Sequence, residues 1–289
     1  ESHHQLQPML KSLRRIYVGG ETISANFVST IESHLSEERP SGGGFHLVYG
    51  ATEGFPLCHA QASTIIETHP QTESGMGVCL GEPVDGIRIR VLSFEDTIEQ
   101  FDPSIATEVS GTGPGSIGEI SVMGPAVYSC LIGHDEIEFG GPKTTAHDSL
   151  DGTNWHRTGD LGYLDEDGRV WIVGRKAHRV RTKDGSTLHT KQTEEIFNHG
   201  LGIRTALVKG PDNDWPVILV EGDNSPWNEI EKRLKEESKR ACHLLGYDGE
   251  FTFQQYEGVF PVDAGHEAKI EREKLSNWAK QRLHENRSN

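Results

Sequence analysis

The chain has few basic residues for its size and no long apolar run. Among its 289 residues, 28 Lys and Arg stand against 44 Asp and Glu, which gives a formal net charge of -16. This acidic balance argues against nucleic acid or an anionic membrane surface as a partner, because nothing supplies a broad positive field. No stretch approaches the ~20 consecutive apolar residues that a membrane-spanning helix needs. We therefore predict a protein without a membrane span.

Cysteine is scarce and scattered. The chain has four, and they are widely separated: Cys58, Cys79, Cys130 and Cys242. A zinc site or a disulfide framework would cluster them, so free thiols in a reducing compartment are predicted. The first residues, ESHHQLQPMLKSLRRIY, lack the basic-then-apolar order of a signal peptide. Together these features favour a cytoplasmic location.

The first part of the chain has the pattern of an open α/β sheet. Two apolar runs that end in glycine, LRRIYVGG (13–20) and FHLVYG (45–50), predict strands. Residues 22–35 between them have helical spacing, with Thr22 or Ser24 as the cap. Ligands of such sheets bind beyond the carboxyl ends of the strands, and the polar residues ATEG follow the second strand directly.

The pattern changes twice further along. Short β-rich runs between about residues 75 and 173 alternate with Gly, Pro and Asp turns, which predicts a small antiparallel barrel or curved sheet. After a boundary at 174–177, a compact α+β domain is predicted. Its elements are a hairpin, a helix over 191–198, the strands IRTALVKG and PVILVEG, a helix over 226–245, the strand FTFQQY and a helix over 272–285.

The stretch YGATEG, residues 49–54, places several ligand-binding groups at a strand end. Its aromatic ring can stack on a base, Thr52 can donate to a phosphate and Glu53 can hold Mg²⁺. On these residues alone the other interpretation, a strand-to-loop turn with Thr52 as a helix cap, stays open.

Two further motifs are separated from each other in the sequence by the length of one hairpin. RTGD (157–160) offers a carboxylate for vicinal hydroxyls, as in known nucleotide sites, and GRK (174–176) offers donors suited to phosphate or ribose. An Asp in a turn and a solvated basic strand end are the alternatives. Lys269 precedes the last predicted helix and could place its charge on a developing oxyanion or be an ordinary surface lysine.

Two further patterns resemble sites only superficially. SGTGPGS (110–116) is followed neither by Lys-Ser/Thr nor by a helix, so a flexible loop is predicted there rather than a phosphate loop. The set His134, Asp135, His147 and Asp148 lacks the helical spacing between ligand pairs that favours a metal site.

The order of the motifs is more specific than any one of them. VGGE, YGATE, GEISVMGP, RTGDLGYLDEDGRVWIVGR and KIER follow one another along nearly the whole chain. In this order they resemble the later motifs of the adenylate-forming enzymes, which comprise acyl- and aryl-CoA synthetases, luciferases and peptide-synthetase adenylation domains. The resemblance implies that a carboxylate attacks the α-phosphorus of ATP and expels pyrophosphate, with the protein supplying position and charge stabilisation.

The resemblance also implies roles for individual residues. The nucleotide would be bound by Gly19, Gly20, Glu21, Tyr49, Gly50, Ala51, Thr52, Asp160 and Arg175. Within this set Tyr49 and the first three would line the adenine pocket, and Asp160 would bind both ribose hydroxyls. Arg175 would assist at the ribose or a phosphate, and Thr52 would touch the α-phosphate. Glu53 would hold Mg²⁺, and Lys269, on a mobile C-terminal domain, would bridge the substrate carboxylate and the α-phosphate.

Within the superfamily a narrower likeness is visible. GRKAHRVRTKDGSTLHTKQTEEIFN and FPVDAGHEAKIEREKL are similar to the olefin-biosynthesis β-lactone synthetases, which adenylate a β-hydroxy fatty acid and release a β-lactone and AMP. Ala177 departs from the usual hinge Asp or Lys. RTKDGSTLHTKQTEEIF replaces a KxxGxxIxxxEIE run, which argues against an ordinary CoA tunnel. Gly265 and Glu267 stand where Arg and Asn are expected, and the phosphate loop that should precede Gly19 is not found.

We therefore expect the C-terminal half of an adenylate-forming ligase. Residues 1–74 would end the large α/β core, 75–174 would form a small β-barrel-like subdomain, and 175–289 a mobile α+β domain. The expected function is ATP- and Mg²⁺-dependent activation of a carboxylic acid, in particular a long-chain or β-hydroxy fatty acid, with β-lactone closure as a following step. An acyl-CoA synthetase, a peptide-synthetase-type adenylation domain and a non-catalytic AMP-binding module are the alternatives.

Overall fold

The computed structural model describes residues 10–35, 40–93, 108–127, 155–211, 215–222, 226–263 and 269–288. The chain divides into two compact units, and each is described by itself. The N-terminal unit is formed by Glu1–His69 and Cys79–Ile172, and the C-terminal unit by Pro70–Val78 and Val173–Asn289. The three-part division with boundaries at 74/75 and 174/175 stays a prediction.

The helices in the described ranges include none that is both long and apolar enough to cross a membrane.

The elements between residues 15 and 175 are mostly short strands. The strands are β1 (Arg15–Gly19), β2 (Gly44–Ala51), β3 (Gly54–Gln61), β4 (Val78–Cys79), β5 (Glu82–Pro83), β6 (Arg88–Leu92), β7 (Gly118–Met123), β8 (His156–Leu164) and β9 (Val170–Arg175). The helices are α1 (Ala25–His34) and α2 (Ala62–Glu73).

The first sheet has the strand order β1-β2-β3-β5. Strands β1 and β2 are parallel, with Gly19 opposite Val48, and helix α1 connects them. The helix begins after Ser24, whose hydroxyl accepts a hydrogen bond from the Phe27 backbone N–H at 3.2 Å, as an N-cap does. The two predicted strands and the helix between them are therefore confirmed, with Ser24 rather than Thr22 as the cap.

The residues after β2 form a tight turn and not an open loop. The antiparallel strand β3 follows at once, paired through Ala51 with Gly54. This strand was not predicted, because Pro56 and the polar His59 and Gln61 interrupt its apolar pattern. Thr52 consequently lies in a hairpin turn, so its alternative role as a helix cap is wrong.

The second sheet has the strand order β4-β9-β8-β7-β6. Its β6–β7 and β7–β8 pairs are antiparallel, as predicted. Among the described residues β4 and β6 are its two edges and do not pair with each other. The strands described therefore form an open sheet. Of the two predicted alternatives, a small barrel or a curved sheet, a closed barrel is not found among these residues.

The RTGD motif lies within strand β8, so its alternative interpretation as a turn is wrong. The turn comes later, where the Asp165 carboxylate accepts hydrogen bonds from the Arg169 backbone N–H at 2.8 Å and the Trp171 indole at 2.8 Å. Gly162 has no room for a side chain, since a Cβ there would lie 2.1 Å from the Trp171 carbonyl oxygen. The spacing between RTGD and GRK is thus the length of the β8–β9 hairpin.

Residues 110–116, predicted as a flexible loop, contain a short 3-10 helix, Pro114–Ser116, with Ser116 buried. Strand β7, and not an α-helix, follows this glycine-rich run.

The elements between residues 180 and 288 match the predicted order. They are β10 (Val180–Arg181), β11 (Thr187–Leu188), α3 (Thr190–Leu201), β12 (Thr205–Lys209), β13 (Pro216–Glu221), α4 (Trp227–Leu245), β14 (Thr252–Tyr256) and α5 (Arg272–Ser288). Each predicted element is found, with ends that differ by a few residues.

The C-terminal unit is a three-stranded sheet, β12-β13-β14, covered on both faces. Leu207 and Ile218 pack with helices α3 and α4, whereas Val208 and Leu219 pack with helix α5. A strand buried on both faces must be apolar at every position, which is why TALVK and PVILVE read as continuous apolar runs. The predicted α+β arrangement of these elements is confirmed.

The thiols that the structure describes are free. Cys58 and Cys79 are buried and Cys242 is half-buried. Free thiols were predicted, so the prediction is confirmed for these three. Cys130 and the set His134, Asp135, His147 and Asp148 lie outside the described residues.

Candidate nucleotide site

The carboxyl ends of β1 and β2 bring two predicted segments together. Parallel pairing sets Gly19 opposite Val48, so Gly20 and Glu21 follow β1 at the sheet edge where Tyr49 follows Val48 on β2. A Cβ at Gly19 would lie 2.5 Å from the Val48 carbonyl oxygen, so the close approach of the two strands requires glycine. The polar residues beyond two parallel strands thus share one sheet edge, as expected for a ligand site.

The central contact joins the two sheets of the N-terminal unit. The Tyr49 hydroxyl, at the end of β2, donates a hydrogen bond to Oδ2 of Asp160 on β8 at 2.6 Å. The two residues are 111 positions apart in the chain. The YGATEG and RTGD motifs, assigned to one nucleotide by resemblance, are therefore in direct contact.

Asp160 is held by its own strand as well. Its side chain is buried, and its backbone N–H donates to the Thr158 hydroxyl at 3.1 Å. That hydroxyl donates in turn to the Ile120 carbonyl oxygen on β7 at 2.9 Å. These bonds hold the main chain of Asp160 to β7, and its carboxylate accepts the bond from Tyr49.

The phenol of Tyr49 is a donor at every physiological pH. Burial raises the pKa of Tyr49 well above its usual value, and the neighbouring negative charge of Asp160 raises it further. A protonated phenol next to a carboxylate makes a charge-assisted hydrogen bond, the stronger kind.

The hairpin turn between β2 and β3 carries the predicted phosphate and metal ligands. Gly50 and Ala51 lead into it, the Thr52 side chain is exposed, and Glu53 is half-buried. A hydroxyl and one carboxylate are oxygen donors of the kind Mg²⁺ accepts, since this ion keeps several waters and adds only one or two carboxylates and substrate phosphates. The donor set therefore fits Mg²⁺.

Two features next to the site were not predicted. His156, at the start of β8, is buried, and among the described residues nothing hydrogen-bonds its Nδ1. Burial lowers the pKa of His156, although the charges of Glu53 and Glu119 oppose the shift. Glu119 also forms a buried ion pair with Arg157 of RTGD. The Glu119–Arg157 pair has a sequence signal, because its two residues belong to the motifs GEISVMGP and RTGD. Both motifs were noted in the sequence, but they were not paired with each other.

Arg175 and Lys269 belong to the C-terminal unit. Arg175 ends β9 with an exposed side chain, just before a 3-10 helix, Lys176–His178. The Ala177 carbonyl oxygen there accepts a hydrogen bond from Lys209 Nζ at 3.0 Å. Lys269 is half-buried, and residues 264–268 before it, with Gly265 and Glu267, lie outside the described residues. Contact of these two side chains with a nucleotide stays a prediction.

Comparison with known proteins finds no matching family model. Curated proteins match clearly. Olefin β-lactone synthetase of Xanthomonas campestris pv. campestris is 34% identical over 282 residues, covering 94% of this chain and 48% of that protein. The same enzyme of Stenotrophomonas maltophilia is 33% identical over 287 residues, covering 95% of this chain and 48% of that protein. The chain thus spans about half the length of these relatives.

Solved structures share the fold. The amide bond synthetase McbA of Marinactinospora thermotolerans, as the K483A mutant, superposes with a TM-score of 0.65 and 17% identity, covering 95% of this chain and 49% of that one. The anthranilate CoA ligase AuaEII in complex with anthranoyl-AMP has a TM-score of 0.62 and 17% identity, with coverage of 94% and 46%. The homologues and structural neighbours agree with the motif order, and they identify this chain as a relative of the adenylate-forming ligases, with olefin β-lactone synthetases among its curated homologues.

Proposed function

We propose that the chain provides the nucleotide-binding and C-terminal parts of an enzyme that activates a carboxylic acid as its acyl-adenylate. The observation that carries the proposal is the contact of Tyr49 with Asp160 at the carboxyl ends of β1 and β2. It joins an aromatic ring suited to a base and a buried carboxylate suited to ribose hydroxyls in one place. The relatives named olefin β-lactone synthetase support a long-chain or β-hydroxy fatty acid as the substrate.

The proposed reaction requires neither an oxidant nor a reductant. A carboxylate oxygen of the acid forms a bond to the α-phosphorus of ATP, the bond from that phosphorus to the bridging oxygen breaks, and pyrophosphate leaves. With a β-hydroxy acid, the hydroxyl oxygen then attacks the acyl carbon, AMP leaves, and the hydroxyl proton passes to solvent. The product of this second step is a β-lactone.

The residues act by position and charge. Gly19, Gly20, Glu21 and the ring of Tyr49 would enclose the adenine, and Asp160 would bind the ribose hydroxyls. Thr52 would donate to the α-phosphate. Glu53 would hold Mg²⁺, which when bound neutralises phosphate charge.

Two residues of the C-terminal unit complete the proposal. Arg175 would assist at the ribose or a phosphate. Lys269 would stabilise the charge that develops between the carboxylate and the α-phosphate.

Calorimetry with AMP tests the nucleotide site. Asp160→Ala should weaken AMP binding by on the order of 2–4 kcal/mol, the cost of losing charge-assisted hydrogen bonds in a buried site. Asp85, an exposed acid of the same unit, gives the matched control, and Asp85→Ala should bind AMP as the parent chain does. Equal affinities for Asp160→Ala and the parent chain would contradict the assignment.

Pyrophosphate release tests the reaction. ATP, Mg²⁺ and a panel of simple and β-hydroxy fatty acids are supplied to the chain and to a longer polypeptide that contains it. Release with β-hydroxy acids and without CoA supports the proposal, whereas a requirement for CoA would select an acyl-CoA synthetase. AMP binding without release from either polypeptide would select a non-catalytic nucleotide-binding module.

A further inference from the structure

Two histidines lie side by side on one face of the first sheet. His46 of β2 and His59 of β3 stack with ring centroids 5.0 Å apart, and His46 Nδ1 lies 2.8 Å from His59 Nε2. Tyr17 of β1, the strand on the other side of β2, stacks on His46 with centroids 4.8 Å apart. His46 is buried, whereas Tyr17 is exposed. The three rings therefore connect three neighbouring strands.

The hydrogen bonds determine which nitrogens of the histidine pair carry protons. His46 Nε2 lies 3.1 Å from the Gly42 carbonyl oxygen, which can only accept, so Nε2 carries the proton of the neutral His46 ring. His46 Nδ1 is then an acceptor, and the bond between the rings requires the proton of His59 on Nε2. The Gly42 oxygen also accepts from Arg15 Nε on β1 at 3.2 Å. The neutral pair thus connects β3 to β1 through His46 and Gly42.

This pair can take up one added proton without losing its bond, but not two. A proton on His59 Nδ1 leaves the donor at Nε2 in place. A proton on His46 Nδ1 is accommodated when His59 changes tautomer and accepts from it. With two added protons, two N–H groups face each other and the hydrogen bond is lost. Two positive rings then also lie close to the Arg15 guanidinium, which shares the Gly42 oxygen.

We propose that the histidine pair is a pH-dependent switch, which holds the edge strand β1 while it carries at most one added proton and loses its hold when both rings are protonated. Strand β1 is an edge strand among the described residues, paired with β2 alone. Its side chains are exposed or half-buried, so few packing contacts hold it besides its pairing with β2. The switch requires no nucleotide and goes beyond the proposed function.

The groups around the pair determine its pH range. Burial lowers the pKa of His46, and the positive charges of His59 and Arg15 lower it further. The carbonyl oxygen that His46 binds and the Glu32 carboxylate on α1 oppose this shift without cancelling it. Glu82 on β5 lies opposite His59. In the unfolded chain His46 takes up a proton near pH 6.5, so its contribution to stability is present above that pH and is lost as the pH falls through the lowered pKa of the folded state.

Hydrogen exchange of the 289-residue chain, followed by mass spectrometry at pH 7.5 and pH 4.5, tests the switch. After correction for the intrinsic effect of pH on exchange, the protection of β1 peptides should fall at least ~10-fold between the two pH values. Peptides of β7, in the second sheet of the same unit, are the reference and should keep their protection. Unchanged protection of β1, or an equal loss in β1 and β7, would overturn the inference.

A variant separates the hydrogen bond from the ring stacking. His59→Phe keeps an aromatic ring but has no nitrogen that could donate to His46. We expect protection of β1 at least ~10-fold below that of the parent chain at pH 7.5, with little further change in acid. His243→Gln, at an exposed position, is the matched control and should follow the parent chain. Equal protection of β1 in His59→Phe and the parent chain at pH 7.5 would contradict the switch.

Nuclear magnetic resonance of the parent chain tests the proton positions directly. Long-range ¹H–¹⁵N spectra report the tautomer of each histidine ring, and His46→Gln and His59→Gln assign the signals. At pH 7.5 we expect His46 to be protonated at Nε2 only, with a scalar coupling across the bond to His59 Nε2. The coupling should survive uptake of the first proton and vanish with the second, together with the protection of β1. Neutral His46 protonated at Nδ1 would overturn the inference.

The switch also has a consequence for the nucleotide site, which rests on the proposed function. Gly20 and Glu21, assigned to the adenine, follow directly after β1, which ends at Gly19. AMP should therefore bind only while β1 is in place. At pH 7.5, AMP at a hundredfold excess over its dissociation constant should raise the protection of β1 at least ~10-fold, because a ligand of the closed state suppresses opening. Binding of AMP without this effect would contradict the adenine assignment and leave the switch intact, whereas failure of the exchange and resonance experiments would overturn the switch and leave the proposed function intact.

Discussion

The Arg272 guanidinium holds both oxygens of the Glu194 carboxylate in the C-terminal unit. Nη2 of Arg272 lies 2.9 Å from Oε2, and Nη1 contacts Oε1. Oε1 also accepts from the Leu207 backbone N–H at 2.7 Å, and Nη1 donates to the Leu207 carbonyl oxygen at 3.2 Å. Both side chains are largely buried. Helices α3 and α5 are thereby tied to strand β12 through one pair.

The pair also fixes the segment that carries Lys269. Just before Arg272, Ile270 bridges to Val262, and the Lys269 carbonyl oxygen accepts from the Asp263 N–H at 2.9 Å. The arginine of the KIER motif is therefore structural. Its place three residues after Lys269 keeps the end of that segment on the sheet.

Removal of one partner of this pair should destabilise the C-terminal unit. Arg272→Met leaves the Glu194 carboxylate buried without its counter-charge, and we expect a loss of about 3 kcal/mol in the free energy of unfolding. The double variant Arg272→Met/Glu194→Gln should recover part of the loss. Urea unfolding measures both. Lys274→Met breaks an exposed pair with Glu271 and should change stability by less than ~1 kcal/mol. An equally small effect of Arg272→Met would contradict the role of the buried pair.

Local patterns were sufficient to predict most strands and helices. Apolar runs bounded by glycine located β1, β2, β12 and β13, and a serine cap located α1. Strand β3 and helix α2 were missed, because a proline interrupts each of them, Pro56 and Pro70. The pairing of β3 and the packing of α2 override local propensity. These contacts are made with distant parts of the chain, so a short sequence window does not contain them.

The candidate site was predictable only in part. Motif order assigned Tyr49 and Asp160 to one ligand, but their direct bond spans 111 positions and cannot be read from spacing. The buried ion pair of Glu119 with Arg157 likewise cannot be read from spacing, because the adjacent strands β7 and β8 bring the two residues together. No sequence pattern indicated that His156 would be buried next to the site. Its burial depends on the sheet around it.

Acid should destabilise the C-terminal unit through buried neutral histidines. Burial lowers the pKa of His189 to about 4, and burial together with nearby Arg and Lys charges lowers the pKa of His178 to about 4. The unfolded chain takes up these protons near pH 6.5, so stability is present above that pH and is lost between about pH 6.5 and 4. His189, which is buried, alone accounts for on the order of 3 kcal/mol. His199, whose pKa is raised by its hydrogen bond to Glu195, acts in the opposite direction.

Urea unfolding at pH 7 and pH 4.5 measures this loss. His189→Leu should reduce the dependence on pH, because the chain then has no imidazole at this position that binds a proton in the unfolded state and not in the folded state. His243→Gln, at an exposed position, should keep the dependence of the parent chain. If His189→Leu and the parent chain lost stability equally between the two pH values, burial of His189 would not be the cause.

Limited proteolysis should release a stable fragment that begins near residue 174. The sheet β12-β13-β14 is covered on both faces by helices of the same unit, so this part has a core of its own. Mass spectrometry of the protected fragment, followed by its circular dichroism, checks both the cut and the fold. Cleavage spread evenly over residues 177–285 would contradict an independently folded domain.

Lys269 should serve the adenylation step more than nucleotide binding. In the chain, or in a longer polypeptide that contains it, Lys269→Ala should slow pyrophosphate release by at least ~10²-fold, the scale of one lost oxyanion donor. AMP affinity should barely change, because Lys269 is assigned to the charge that develops between carboxylate and α-phosphate and not to the adenosine. Calorimetry and a pyrophosphate assay on the same preparation separate the two effects. Lys239→Ala, an exposed lysine on helix α4, is the control for loss of a positive charge. Turnover within a few-fold of the parent would show that Lys269 is an ordinary surface lysine, and a parallel loss of AMP affinity would place it at the nucleotide instead.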